Sequence, residues 1–155
     1  MTKKRKGIIS FAVVIMVCIA LYILWSQRPV KVLYIDSYKG VMFDIVVDHL
    51  PWLDRDRINW FLTHREELEK NHPTLKGNIY EITFLDVGAG FMSLRENPHE
   101  DLLCFDTIKE EKNCIEKNTL LVVHFYNHGV TDFDIGYGGP AYQKIGNGKI
   151  ERKPD

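Results

Sequence analysis

An unbroken apolar segment near the amino terminus constrains this chain more than any other feature. It covers residues 8–25, 18 in all, and Ser10 is its only polar residue. A helix of that length is about 27 Å long, close to the ~30 Å thickness of the hydrocarbon core of a bilayer. Four basic residues at 3–6 precede it, and the first acidic residue is Asp36. The sequence therefore predicts one transmembrane helix whose amino terminus stays in the cytoplasm.

A cleaved signal peptide and a lipoprotein signal are the alternatives to an uncleaved anchor. The apolar region of a signal peptide usually has about 7 to 15 residues and ends in a small-x-small cleavage site. This segment is longer, and the residues that follow Leu24 lack that pattern. Cys18 follows Val17, where a lipoprotein signal would carry a small residue. We expect residues 1–26 to form a basic cytoplasmic tip and a transmembrane signal anchor, and residues 27–155 to form one periplasmic domain.

The part of the chain beyond the apolar segment is acidic. The whole chain has 20 basic and 21 acidic residues, and four of the basic ones precede the segment. Residues 27–155 therefore hold 16 basic and 21 acidic residues, for a net charge of −5. Nucleic-acid-binding domains need a basic face, so this balance argues against such a partner. It is compatible with an ordinary solvated surface or with an electropositive protein partner.

Two of the three cysteines lie beyond the apolar segment. Cys104 and Cys114 would both reach an oxidising compartment, where cysteines close in sequence most simply pair. A redox-active pair usually has Cys-x-x-Cys spacing, and a zinc site would need two further ligands. Cys18, inside the segment, counts as a small apolar residue. We therefore predict a structural disulfide between Cys104 and Cys114.

The rest of the domain has the pattern of an α+β fold. Short runs of β-branched, aromatic and aliphatic residues predict strands at 30–36, 41–48, 79–86, 102–106, 119–126, 130–137, 141–145 and 149–152. Turn residues at 37–40 and 146–148 predict hairpins between neighbouring runs. We expect a mostly antiparallel sheet, with one or two short helices packed on it and one disulfide.

The helical part lies between the second and third predicted strands. Asp54 is the expected N-cap of a first helix. Thr63 and Glu66 have the spacing of a capping box, which would start a second helix. The sequence therefore predicts two short helices, at about 55–62 and 64–71, or one bent helix.

No catalytic residue can be assigned from the sequence. None of the four serines has a nucleophile-elbow setting, and the exported cysteines are expected to be oxidised. His124, His128 and Asp132 are weak metal-ligand candidates at four-residue intervals. That spacing spans a strand end, a turn and a new strand, so a surface histidine pair is the simpler interpretation. His124 and Asp132 could still face each other across a hairpin. We expect no cofactor, no small-molecule substrate and no enzymatic activity.

Aromatic residues are the better candidates for a functional surface. Exposed aromatic side chains often form the energetic centre of protein–protein interfaces. Most aromatic residues of a small domain belong to its core, so the alternative interpretation of each candidate is a core residue. The candidates for contact with a partner are Trp52, Trp60, Phe61, Tyr137 and Tyr142.

The basic start, the apolar segment and several later stretches form a recognisable combination. The later stretches are 28–30, 58–60, 84–88 with 90–91, 103–106 and 111–118. Together these segments resemble a family of enterobacterial single-pass membrane proteins with a domain of unknown function. The similarity extends over nearly the whole chain, and the cysteine-bounded stretch is its most specific part. The resemblance implies an enterobacterial source, a membrane location and the disulfide, and it supplies no catalytic residue.

Three functions follow as hypotheses. The first is an inner-membrane-anchored, non-catalytic module that binds another protein, for example an immunity protein against a toxin that acts in the periplasm or at the membrane. The second is an envelope assembly or regulatory subunit that acts partly through its transmembrane helix. The third, and least favoured, is a periplasmic enzyme that uses His124, His128 and Asp132.

Overall fold

The computed structural model describes residues 3–26, 28–75 and 77–154, and in the first helix it describes the side chains of residues 8 and 10–25. The helices among these residues are α1 (Lys3–Ser26) and α2 (Asp54–Asn71). Short 3-10 helices occur at Pro73–Leu75 and Asn127–Gly129. The strands are β1 (Val32–Tyr38), β2 (Met42–Val47), β3 (Glu81–Asp86), β4 (Leu102–Cys104), β5 (Cys114–Glu116), β6 (Thr119–Phe125), β7 (Val130–Ile135), β8 (Ala141–Ile145) and β9 (Ile150–Arg152).

Seven of these strands form one sheet in the order β1-β2-β3-β6-β7-β8-β9. Every neighbouring pair is antiparallel except β2 and β3, which run parallel. A parallel pair cannot be joined by a tight turn, and α2 forms the crossover between the two strands. The prediction of a mostly antiparallel sheet is confirmed.

Helix α2 covers one face of this sheet with its apolar side. Ile58 and Phe61 are 0% and 1% exposed, and the Phe61 ring lies 5.8 Å from that of Phe84 and 6.3 Å from that of Phe133. The alternate residues of β2, β3, β6 and β7 complete this main core. Burial of such a set of aromatic and aliphatic side chains is the main source of fold stability.

Strands β4 and β5 lie in the chain segment that connects β3 to β6, and they form a separate two-stranded sheet. Phe105 and Ile115 pack from it onto Val46 and Leu85 in a second, smaller core. This excursion therefore covers one end of the sheet face that α2 leaves open. Cys104 and Cys114 are direct cross-strand partners and form the disulfide, as predicted.

Of the two alternatives for the helical part, the structure has one helix, so the prediction of two short helices with side-chain caps is wrong. α2 is continuous from Asp54 to Asn71, and its N-cap position is Leu53, which forms no side-chain cap. Thr63 lies inside the helix, where its hydroxyl donates to the carbonyl of Asn59 instead of capping a new helix. A capping box needs an interruption in the helix, and the continuous burial from Ile58 to Leu68 on one face keeps the helix intact.

Helix α1 contains the long apolar segment, and its described apolar side chains are exposed. Among the residues that the structure describes, no helix is long and apolar enough to cross a membrane, so the structure does not support the predicted transmembrane helix. The side chains of the basic flank at 3–6, and Gln27 at the predicted domain boundary, lie outside the described residues.

Truncation of Phe61 should lower the stability of the domain more than a change at its surface. We expect Phe61→Ala to lower the free energy of unfolding by about 3 to 5 kcal/mol, because it removes a buried ring and leaves a cavity. Tyr137→Ala is the matched aromatic control at a fully exposed position and should change it by less than about 0.5 kcal/mol. Urea titration of the detergent-solubilised full chain, followed by circular dichroism, measures both. Equal effects would contradict the placement of Phe61 in the core.

Removal of the disulfide should have a smaller effect. The crosslink spans 10 residues, and closing such a loop stabilises a fold by about 2 to 3 kcal/mol in the chain-entropy model. We expect the Cys104→Ser/Cys114→Ser double variant to lose about that amount in the same urea titration. Cys18→Ser is the control because Cys18 is not disulfide-bonded. A double variant as stable as the wild type under oxidising conditions would refute the structural role.

Candidate functional site

The candidate site is the part of the sheet face that neither α2 nor the β4–β5 excursion covers. Cross-strand register aligns a row of polar residues there, from Glu81 on β3 through His124 on β6 and Asp132 on β7 to Gln143 on β8. Strands antiparallel to one another place directly opposed residues on the same face. This part of the sheet face is therefore polar, in contrast to the apolar face under α2. We call this surface the open face.

His124 lies at the centre of the open face between two carboxylates. Its Nδ1 is 3.0 Å from Oε2 of Glu81, and its Nε2 is 3.2 Å from Oδ2 of Asp134. Because both ring nitrogens are held in this way, the imidazole has a fixed orientation across β3, β6 and β7. The arrangement connects three strands and gives each ring nitrogen a carboxylate partner.

Asp132 is the buried carboxylate of the open face, at 5% exposure. Gln143 donates to its Oδ1 at 2.9 Å, and Lys153 donates to its Oδ2 at 2.7 Å. The hydrogen bond to Asp132 raises the pKa of Lys153 above its usual value, although burial acts in the opposite direction. A buried charge needs such a partner, so this pair fixes the carboxy-terminal segment to the sheet.

Asp44 is the carboxylate of the open face with the least favourable surroundings. Burial is the largest cause that raises its pKa, and the negative charges of Asp36 and Glu81 raise it further. Asp36 is its direct cross-strand partner on β1. Like charges directly opposite one another on a sheet are destabilising. The open face therefore carries an excess of negative charge along β1, β2 and β3.

A shallow depression of about 560 Å³ lies on this face next to an exposed loop. The loop connects β7 to β8 and presents Tyr137, whose side chain is fully exposed. Gly138 has a positive φ of 73°, and a Cβ on Gly139 would lie 2.0 Å from the carbonyl oxygen of Ile135. A side chain at Gly139 would clash with the backbone, and one at Gly138 would be strained by the positive φ, so glycine is favoured at both positions of this tight turn beside Tyr137.

The hypothetical metal site is not formed. His124 and Asp132 are direct cross-strand partners, as the sequence suggested, but each side chain is engaged elsewhere. His128 lies exposed in the Asn127–Gly129 turn with a positive φ of 69°. Within the described ranges, no group of three or more histidine, cysteine or acidic side chains could hold a metal ion.

The five aromatic candidates separate into three groups. Phe61 is buried in the main core, so its assignment to partner contact is wrong. Trp60 and Tyr142 are partly buried: Trp60 stacks on His64, and the Tyr142 hydroxyl donates to Asp54 at 2.9 Å. Tyr137 and Trp52 are exposed, and only Tyr137 adjoins the open face.

Sequence reasoning did not find Glu81, Asp134 or Lys153 as members of the site. Asp134 had a signal, because the alternation of 130–135 places it on the same face as Asp132. Glu81 had none, since β3 and β6 pair across more than 30 residues of intervening chain. Lys153 reaches Asp132 from beyond the last strand, where no periodic pattern operates.

Comparison with known protein families then identifies the chain. The family model described as "Enterobacterial putative membrane protein (DUF943)" matches residues 2–153. Because the match covers almost the whole chain, the protein belongs to this family, whose function is unknown, and the resemblance noted in the sequence is confirmed. No curated protein and no solved structure matches the chain.

Neutralisation of Asp44 should stabilise the fold in a pH-dependent way. The folded-state pKa is raised, so the ionised carboxylate weakens the folded state at neutral pH. We expect Asp44→Asn to raise the free energy of unfolding at neutral pH. The gain should shrink as the pH falls through the folded pKa and vanish below the unfolded pKa of about 3.9.

Urea titrations of the full chain at a series of pH values measure this difference. Glu66→Gln removes the same charge from an exposed position on α2 and is the matched control. A destabilised Asp44→Asn variant at neutral pH would show that Asp44 is held by a favourable partner instead.

Proposed function

We propose that this protein is a non-catalytic, inner-membrane-anchored protein-binding module whose domain lies in the periplasm. The observation that carries the proposal is the open face, an uncovered and acidic sheet surface with the fully exposed Tyr137 at its rim. The concrete form of the proposal is an immunity protein, which captures a toxin that acts in the periplasm or at the membrane.

The membrane anchor in this proposal is α1. The sequence supports it with the 18 residues of the apolar segment and the basic flank at 3–6, which favour a cytoplasmic amino terminus. The consecutive residues 13–17 are all apolar and exposed, and five consecutive positions go around the whole helix. A helix that is apolar on every side needs an apolar environment. The family description as a membrane protein agrees with this assignment.

Charge supports a protein partner of the opposite sign. Residues 27–155 have a net charge of −5, and Asp44, Glu81 and Asp134 lie on the same open face. Burial is the largest cause of the raised pKa of Asp44, and basic groups of a partner would relieve the further rise that the charges of Asp36 and Glu81 produce. Complementary charge mainly increases the association rate and the selectivity of a complex. Tyr137 would supply the aromatic contact that such interfaces use as an energetic centre.

A non-catalytic role is supported by the chemistry of the open face. His124 has both nitrogens against carboxylates, and the exported cysteines are joined in a disulfide. A nucleophile–base pair would need a hydroxyl or thiol in hydrogen-bond reach of the histidine. Among the described residues, no such contact to His124 is formed.

A second candidate function is an envelope assembly or regulatory subunit that acts partly through α1. The observation that favours it is the direct contact of α1 with the domain, where the Tyr22 hydroxyl donates to Asp56 at 2.6 Å. Replacement of residues 8–25 with an unrelated anchor separates the two functions. Retained activity favours the binding module, and lost activity favours the subunit.

Toxin protection tests the binding module. We expect deletion of the gene to make cells sensitive to a toxin encoded nearby, and wild-type protein to restore protection. Asp134→Lys and Tyr137→Ala should each weaken protection by at least about tenfold in toxin dose, because hot-spot and close charge contacts are worth more than about 1.4 kcal/mol. Glu66→Lys makes the same charge change on the exposed side of α2 and should protect fully.

Immunoblots of membrane fractions confirm equal protein levels for the variants. Full resistance of the deletion strain to every neighbouring toxin would refute the immunity role. Equal loss of protection in Asp134→Lys and Glu66→Lys would refute the assignment to the open face.

A further inference from the structure

Trp52 has an environment unlike that of a protein-binding aromatic residue on the open face. It lies in the loop 50–53 between β2 and α2, and its ring is 5.8 Å from that of Trp25 and 6.2 Å from that of Tyr22. Both of these partners belong to the last turns of α1. Trp52 and Leu53 are nevertheless 61% and 57% exposed. The loop thus presents apolar surface directly beside the exposed apolar surface of the helix.

The contact between loop and helix is well defined. The Tyr22 hydroxyl donates to Oδ2 of Asp56 at 2.6 Å, in the first turn of α2. The ring of His49, just before the loop, lies 5.6 Å from that of Trp25. Nε2 of His49 is 3.2 Å from the carbonyl oxygen of Arg28, so the chain that leaves α1 is bound to the same loop.

These contacts set the depth of the loop relative to α1. Tyr22 is three residues before Trp25, a rise of about 4.5 Å along the helix, so the loop reaches back along the helix by that distance. Tyr22, Trp25 and Trp52 are amphipathic aromatic side chains of the kind that concentrates at the membrane–water interface. The guanidinium carbon of Arg28 lies 4.3 Å from the centre of the Trp25 ring, on the domain side of the cluster. Apolar rings with a cation on the aqueous side match the change from apolar to charged groups across the headgroup layer of a bilayer.

We infer that the loop 50–53 is a second membrane contact, in which Trp52 and Leu53 insert into the headgroup–acyl boundary beside α1. This inference rests on the proposed anchor, and its occupant is the periplasmic leaflet of the bilayer. The continuity of the loop with the apolar surface of α1 selects lipid over a protein partner. Through this contact the domain lies fixed against the membrane instead of moving freely on the linker after α1.

Quenching by lipid tests the inference on the full chain in vesicles. The variant Trp25→Phe/Trp60→Phe keeps Trp52 as the single tryptophan, and Trp25→Phe/Trp52→Phe keeps Trp60 as the matched control. We expect lipids brominated in the upper acyl chain to quench Trp52 by at least about twofold more than lipids brominated near the chain end, as for an interfacial residue. Trp60, which packs against the main core, should not be quenched by either lipid.

A charge placed in the loop tests the same contact without altering the core. Leu53→Asp places a charge at the boundary and should reduce lipid quenching of Trp52 by about half or more, since charged groups are unfavourable there. Leu94→Asp makes the same change at a similarly exposed site in the loop after β3 and should leave quenching unchanged.

Extraction with alkaline carbonate distinguishes failure of this inference from failure of the anchor. A chain that resists extraction but shows no lipid quenching of Trp52 keeps its anchor and lacks the second contact. If Trp52 is then also protected from an aqueous quencher, a second copy or another protein covers it, which overturns the inference. Extraction of the chain into the soluble fraction would overturn both the anchor and the contact.

Discussion

Packing of α2 against a single face of the seven-stranded sheet is the constraint on which the rest of the structure depends. Phe61 contacts the rings of Phe84 and Phe133, and this places β2, β3, β6 and β7 around one helix. The parallel pairing of β2 and β3 requires a crossover, and 18 residues of helix supply it. One helix covers one face. The other face is then left to the small β4–β5 sheet at one end and to water at the other.

The open face follows from that asymmetry, and its charges are unequally compensated. Asp132 has Lys153 and Gln143, and His124 connects Glu81 to Asp134. Towards β1 and β2, burial raises the pKa of Asp44 most, and the like charges of Asp36 and Glu81 raise it further. Under the proposed function, this unequal compensation favours a basic partner, whose charges would offset the excess of negative charge. Such a surface is a more specific clue to function than the fold itself.

The end of α1 links the two proposals. If α1 is the anchor, its last turns and the loop 50–53 form one aromatic cluster at the bilayer surface, and the domain has a defined orientation there. The open face is on the side of the sheet opposite α2, whereas the loop lies at the start of α2. Separate surfaces would therefore contact lipid and protein. Trp52 and Tyr137 are both exposed aromatic residues, and because their neighbours differ, the two proposals give them different partners.

Local patterns in the sequence determined the apolar helix, most strands, the hairpins, the Cys104–Cys114 pair and the facing of His124 and Asp132, because each depends on residues close along the chain. The tertiary structure alone decided the parallel β2–β3 pairing, the single α2 without a side-chain N-cap, and the burial of Phe61. It also decided which partners Glu81, Asp134 and Lys153 contact. Periodicity specifies which face a residue occupies on its own strand or helix. Which distant element then covers that face is set by packing of the whole chain, and that determines whether an aromatic or charged side chain becomes core or surface.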